Sequence, residues 1–272
     1  LKIEDKTTLE SPLLITIETT GDICSIRLLI DIGSQVQGEI ITVIEGNANW
    51  TGILREGRYG QNSIVNDVVT QITGQRLLRC DSLTLERDAQ IKAGTVNASS
   101  SQAKIDIRHW LPEPGSSLKV NGSILSSEDN KVDSHIEISH TGKETHSRLE
   151  WHSACGGKSN TTGTGMLRID AGAKGADAGQ LFHNLLLSER ATANSIPELE
   201  VLENEVVGCG HGTANGPIDE QQLFYLYTRG FDEEQARSAL IAAFLNAPLS
   251  DMGSQELHGY LIQRIENHLK TI

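Results

Sequence analysis

Residues 103–140 read AKIDIRHWLPEPGSSLKVNGSILSSEDNKVDSHIEISH, a series of short alternating apolar and polar runs separated by Gly, Asn, Asp and Ser. Alternation of this kind is typical of β-strands that bury one face, and the separating residues favour turns. Further β-type runs begin at Leu13, Ile23, Glu39, Ser82 and Gly165. The pattern predicts a mainly β fold and leaves three alternatives, a sandwich, a barrel and a stacked β-solenoid.

The pattern changes at Pro217, and six of the eleven aromatic residues lie after that position. Asp219 and Asp232 are each followed three residues later by glutamine, which is a capping-box pattern that predicts a helix start. A third amphipathic helix is expected to reach the end of the chain. We therefore predict a β core over residues 1–216 and a helical domain over residues 217–272. Because short helices bury little among themselves, we expect these to dock on the β body or on a partner.

Composition excludes two classes of partner. The 272 residues have a formal charge of −13, which disfavours a polyanion such as nucleic acid. No run approaches the roughly 18 apolar residues of a membrane helix, and the first ten residues, LKIEDKTTLE, do not resemble a signal peptide. We expect a soluble, cytoplasmic protein with no nucleic acid and no membrane among its partners.

The string VVGCGHGTANGP, residues 206–217, places Cys209 and His211 two positions apart. In extended chain these side chains share one face and lie about 6.6 Å apart along the strand. Thiolate and imidazole are ligands that iron and zinc accept. The pair is therefore a candidate metal site, and the alternative is a small buried cysteine beside a turn.

A second glycine-rich string, CGGKSNTTGTG, begins at Cys155 and contains Gly157-Lys158-Ser159. His152 stands where a phosphate-binding loop needs a glycine, so we expect a turn between strands instead of a nucleotide site. The four histidines from His135 to His152 are interpreted as neutral, solvated side chains of a polar sheet. The alternative is a metal site, since the even-numbered three could share a face if their strands stack.

Residues 165–237 resemble the C-terminal core signature of the SufB/SufD family of iron–sulfur cluster assembly proteins. The matching elements are GMLRID (165–170), GAKGADA (172–178), LLLSERA (185–191), PELE (197–200), the Cys209–His211 string and DEQQLFYLYTRG (219–230). The resemblance implies a right-handed β-helix, or β-solenoid, followed by a small C-terminal α-helical domain.

The resemblance is closer to SufD than to SufB. Cysteine, any residue, histidine and glycine stand at positions 209–212, as in SufD, and Phe182 stands where SufB members have a scaffold cysteine. The resemblance implies that Cys209 and His211 are cluster ligands or form a dimer-interface site. Cys155, which the sequence places in the glycine-rich turn, is the weaker candidate. It implies a transient iron–sulfur cluster, with none tightly bound in the isolated protein.

The resemblance also implies a non-enzymatic scaffold that assembles and transfers iron–sulfur clusters with a SufC-type ABC ATPase. The residues expected to contact the ATPase are Asp219, Leu223, Phe224, Tyr227, Asp232, Glu233 and Glu234. Further partners are a cysteine desulfurase or other sulfur donor, and either a second copy or a SufB paralogue. Because the chain is shorter than typical SufB and SufD chains, we expect a minimal SufBD-type protein. The rival interpretation is a carbohydrate-active or adhesive β-solenoid, which leaves LLLSERA and DEQQLFYL unexplained.

Overall fold

The computed structural model describes residues 1–73, 75–98 and 101–269, and it contains two eight-stranded parallel sheets formed by alternate strands. The odd sheet consists of β1 (Lys2–Ile3), β3 (Ile23–Ile32), β5 (Trp50–Tyr59), β7 (Arg76–Leu85), β9 (Gln102–Leu111), β11 (Lys131–His140), β13 (Asn160–Ile169) and β15 (Thr192–Val201). The even sheet consists of β2 (Leu13–Thr19), β4 (Gln37–Gly46), β6 (Ile64–Thr73), β8 (Gln90–Ala98), β10 (Ser117–Ser126), β12 (His146–Cys155), β14 (Asp177–Leu186) and β16 (Gly208–Pro217). The chain is a β-solenoid, so the mainly β prediction is confirmed and the sandwich and barrel alternatives are excluded.

The solenoid interior is formed by alternate residues of both sheets. Strands pair in register, so each inward side chain lies above another inward side chain of the next turn of the solenoid. Ile136 and Leu167, for example, belong to one continuous apolar core with Trp151 and Phe182. The inward residues of each alternating run therefore fill the space between the two sheets, and the residues between them point outward.

One part of the interior is charged. Arg55 on β5 has 2% of its side chain exposed and bonds to Asp67 on β6 and Asp81 on β7. Tyr59 donates a further bond to Asp67. Arg79 also pairs with Asp81, and the two guanidinium groups outweigh the opposing effect of burial, so the pKa of Asp81 falls to about 2. The cluster is held ionised because each buried charge has a partner.

Within the described residues, three helices follow the strands: α1 (Glu220–Thr228), α2 (Glu233–Asn246) and α3 (Gln255–Leu269), with a 3₁₀ turn at Ala247–Leu249. The last three residues, to which the third helix was predicted to extend, lie outside the described ranges. The predicted caps are present. Asp219 accepts a bond from the backbone N–H of Gln221 at 2.7 Å, and Asp232 forms a full capping box with Gln235. Gly230, which follows α1, has φ +93°, the left-handed conformation that commonly ends a helix.

The second and third helices dock on the outer face of the even sheet. The helical part contributes Ile241, Leu245, Leu249, Met252, Leu257, Leu261 and Ile265 to one apolar cluster. The sheet contributes Ile41, Val43, Val68, Val96, Ala98, Leu125 and Ala154. The expectation that the helices bury their apolar faces on the β body therefore holds for α2 and α3. In contrast, α1 buries none of its residues. Among the described residues, no helix combines the length and apolar character needed to cross a membrane.

Candidate functional site

Cys209 and His211 lie on β16, the last strand of the even sheet. Cys209 pairs with Ala178 and His211 pairs with Gln180 on β14, and both partners are buried residues of the inward face. Because paired residues of parallel in-register strands point the same way, Cys209 and His211 share the inward face. The sequence-based expectation of a shared face is therefore met.

The two residues stand at an open end of the solenoid. The sheets end with β15 and β16, and within the described ranges no further strand pairs with either one. Cys209 packs partly against the apolar core, and His211 is exposed. Elsewhere in the solenoid, each inward side chain is covered by the inward side chains of the next turn. At β16 these side chains are therefore accessible.

The Cys209 thiol has no cationic neighbour among the groups that set its pKa. Burial, followed by the Asp177 carboxylate, raises the pKa of this thiol above its usual value. The free side chain is therefore a neutral thiol at pH 7, and it is a weak nucleophile because the thiolate is the reactive form. A bound metal ion would supply the positive charge that deprotonates it.

A groove of about 760 Å³ runs along the outer face of the even sheet to this end, and its lining includes Glu150 as well as Cys209 and His211. Its opposite wall includes residues of the 3₁₀ turn that follows α2. Four of the charged residues that line it form two ion pairs, Lys119 with Asp251 and Arg148 with Asp177. The groove is large enough for a small inorganic assembly, and it brings these charged side chains close to β16.

The weaker cysteine candidate is in a different environment. Cys155 is the last residue of β12 and is fully buried, and it contacts Ser126 and Thr161 in the interior. Burial raises the pKa of this thiol. The glycine-rich turn begins only after Cys155 and leads directly into β13, with no helix behind it, as expected from the failed phosphate-loop spacing.

Phe182 fills the position at which the family resemblance places a SufB cysteine. It is a buried core residue of β14. Its ring lies against Gly163 and Gly165 of β13, where an added Cβ would come within 2.8 Å of the ring. The position is therefore used for packing, and the adjacent glycines provide the space that the ring occupies.

The candidate partner residues fall into two groups. Phe224 and Tyr227 on α1 are exposed, Phe224 by 68%, and Leu223 is half-buried. Asp219 and Asp232 are helix caps, and Glu233 and Glu234 are exposed in the first turn of α2. The caps therefore have a structural role, whereas the aromatic side chains of α1 are available for contact.

The sequence analysis did not find one cluster of possible ligands. Glu150, His152 and His183 bring a carboxylate and two imidazoles together on the outer face of the even sheet. His152 was interpreted as solvated but is buried, and the same holds for His140, which lies elsewhere. His183 pairs directly with it, 31 residues further along the chain. The Glu-x-His spacing was a usable indication, but the contribution of His183 depends on strand register.

Comparison with known proteins gives consistent matches. The family model described as "SUF system FeS cluster assembly, SufBD core domain" matches residues 15–244. An iron–sulfur cluster assembly SufBD family protein of Mycobacterium leprae is 29% identical over 192 residues, which cover 68% of this chain and 49% of that protein. One from Mycobacterium tuberculosis is 24% identical over 285 residues, covering 98% of this chain and 70% of the relative. SufD of Bacillus subtilis is 30% identical over 134 residues, 49% of this chain and 30% of that protein. The chain thus spans about half the length of the first of these relatives.

Proposed function

The chain belongs to the SufBD core family of the SUF iron–sulfur cluster assembly system, and from this membership we propose that it is a non-enzymatic scaffold on which a cluster is assembled and then passed on. A role in iron–sulfur cluster assembly follows from the family. The scaffold role is supported by one observation above all, the placement of Cys209 and His211 together on the accessible inward face of β16.

The number of ligands favours a site shared between two chains. Iron–sulfur clusters are commonly held by four protein ligands, and histidine can replace cysteine among them. The end of one solenoid supplies Cys209 and His211, so two ends that meet would supply four. Exposed apolar side chains at this end support such a meeting, and they are Leu199, Val201, Leu202 and Val207. We propose that the second chain is another copy or a SufB paralogue.

The electrostatics of Cys209 suit a cluster that is transferred. A thiol with a raised pKa must lose its proton when it binds iron, and this proton loss weakens binding at neutral pH. The exposed His211 is open to an incoming acceptor protein. Both properties favour transient binding over a permanently held cluster.

We assign the contact with a SufC-type ABC ATPase to α1. An exposed surface of apolar aromatic side chains is typical of an interaction site. Such a surface is formed by Phe224, Tyr225 and Tyr227 on α1 and by Phe231, which follows α1 in the chain. We call it the α1 aromatic patch. ATP chemistry would then belong to the partner, which would act on the scaffold through this helix.

Replacing Phe224 and Tyr227 together by serine is expected to weaken binding of the ATPase by about 30-fold or more, since even one buried aromatic hot spot contributes about 2 kcal/mol or more. The measurement is isothermal titration of the purified ATPase into the scaffold. Ile23→Ser, at a residue that is 76% exposed on β3, is the matched control. Equal affinities for the double variant and the control would place the contact elsewhere.

The proposed function itself is tested by anaerobic reconstitution of the purified chain with ferrous iron and sulfide, alone and with the ATPase. We expect matched amounts of iron and acid-labile sulfide, together with transfer to an apo-ferredoxin. A chain that retains neither iron nor sulfide under both conditions would exclude the scaffold role.

A further inference from the structure

A second set of metal-type ligands lies apart from the inward face of β16. Glu150 and His152 lie on β12, and His183 lies beside His152 on β14. All three alternate with inward core residues such as Trp151 and Phe182, so they point to the outer face of the even sheet. Cys209 and His211 have the opposite orientation. The two sets therefore lie on opposite faces of one sheet.

The spacing of the three ligand atoms fits a small metal ion. Nε2 of His152 is 3.1 Å from Oε1 of Glu150 and 3.1 Å from Nδ1 of His183. All three atoms lie within 4.8 Å of one another. In a tetrahedral zinc site with ligand bonds of about 2.0–2.1 Å, neighbouring ligand atoms are about 3.3 Å apart. An ion at the centre would thus need only small side-chain adjustments.

The backbone fixes which nitrogen of His152 faces the cluster. Nδ1 of His152 is 2.7 Å from the carbonyl oxygen of Phe244 on α2, and because a carbonyl only accepts, Nδ1 is the donor. In the neutral ring, Nε2 then presents a lone pair, which can accept a hydrogen bond from Nδ1 of His183 but conflicts with the Glu150 carboxylate, which is also an acceptor. A cation between these atoms removes the conflict. The bond from Nδ1 to a carbonyl is also the usual outer partner of a metal-bound histidine.

We propose that Glu150, His152 and His183 form a mononuclear site for a divalent first-row transition metal ion, with water completing the coordination. Two histidines and one carboxylate are a ligand set used for both Zn²⁺ and Fe²⁺. Glu150 and His183 are partly exposed, so an ion can enter from solvent, whereas His152 is 4% exposed and held in place.

The site also connects the sheet to α2. The His152 ring stacks on the Phe244 ring with their centroids 4.6 Å apart and an interplanar angle of 27°. Its Nδ1–H bond goes to the carbonyl of the same residue. An ion that fixes His152 would therefore also fix the C-terminal turn of α2 against the sheet.

The test is equilibrium titration of the chain with Zn²⁺ and, anaerobically, with Fe²⁺, in a Cys209→Ser/His211→Ala background that removes the other ligand pair. We expect one equivalent bound per chain. Glu150→Gln and His183→Asn should each weaken binding by more than about 100-fold, since loss of even an outer partner costs roughly 10- to 100-fold. His146→Asn, on the same strand and half exposed, is the matched control and should bind like the parent.

A second measurement separates metal binding from folding. Amide hydrogen exchange at the C-terminal turn of α2 should slow when the ion binds to the parent and should not change in Glu150→Gln. All variants should match the parent in thermal unfolding without metal. Binding of neither ion, or equal binding by Glu150→Gln and the His146→Asn control, would overturn the proposal. The three side chains would then be held together by a shared proton instead of a metal ion.

Discussion

Replacing Cys209 by serine is expected to lower the iron and sulfide retained after anaerobic reconstitution by about tenfold, because a hydroxyl is a poor substitute for a soft thiolate on iron. His211→Ala should reduce retention as well, since it removes an imidazole from the same accessible face. Neither change should alter the fold, because His211 is exposed and Cys209 is only partly packed. The readouts are the iron and sulfide content and the absorption of the reconstituted chain.

Cys24→Ser is the matched control for this prediction. Cys24 is a half-buried free thiol on β3 of the odd sheet, so it tests the loss of a thiol without affecting β16. Its iron content should equal that of the unmodified chain. If Cys209→Ser and His211→Ala retain full cluster content while Cys155→Ser does not, the cluster lies near the end of β12 and the assignment to β16 is wrong.

Replacing Arg55 by alanine is expected to lower the free energy of unfolding by about 3–5 kcal/mol, because it leaves a buried carboxylate without its counter-charge. Arg55 bonds to Asp67 and Asp81 at 2.6 and 2.7 Å inside the solenoid. Arg79 still pairs with Asp81, so Asp67 becomes the unpaired charge. Urea unfolding followed by circular dichroism measures the loss.

The same strand provides a control. Arg58 on β5 also pairs with two carboxylates, Asp31 and Glu86, but half of its side chain is exposed to solvent. Arg58→Ala should cost less than about 1 kcal/mol, since exposed ion pairs contribute little. An Arg55→Ala variant no less stable than Arg58→Ala would show that the interior charges do not support the solenoid.

The sequence predicted the strands well because alternation is a local property. Each run from residues 103 to 140 forms a strand in which every second residue is inward. The same alternation serves a sandwich, a barrel and a solenoid, so the choice required either the family resemblance or the parallel pairing seen in the structure. The caps at Asp219 and Asp232 were equally local and were also predicted correctly.

Features that depend on distant contacts were not predicted from the sequence. His152 was interpreted as solvated because nothing near it in the sequence indicates that α2 covers it, yet Phe244, 92 residues away, bonds to its ring nitrogen. The interior charges of Arg55 and Arg79 were not found from the sequence, because nothing in the neighbouring residues shows that these two side chains are buried.

Electron–nuclear double resonance of the reduced, reconstituted cluster tests the central proposal most directly, because it detects nitrogen bound to iron. With isotopically labelled histidine, the wild-type chain should show coupling to an imidazole nitrogen, and this coupling should disappear in His211→Ala. The His152→Gln variant should keep the coupling, since His152 faces the opposite side of the sheet. A wild-type cluster without nitrogen coupling, or a coupling that persists in His211→Ala, would contradict the assignment of Cys209 and His211 as the ligands that each chain contributes.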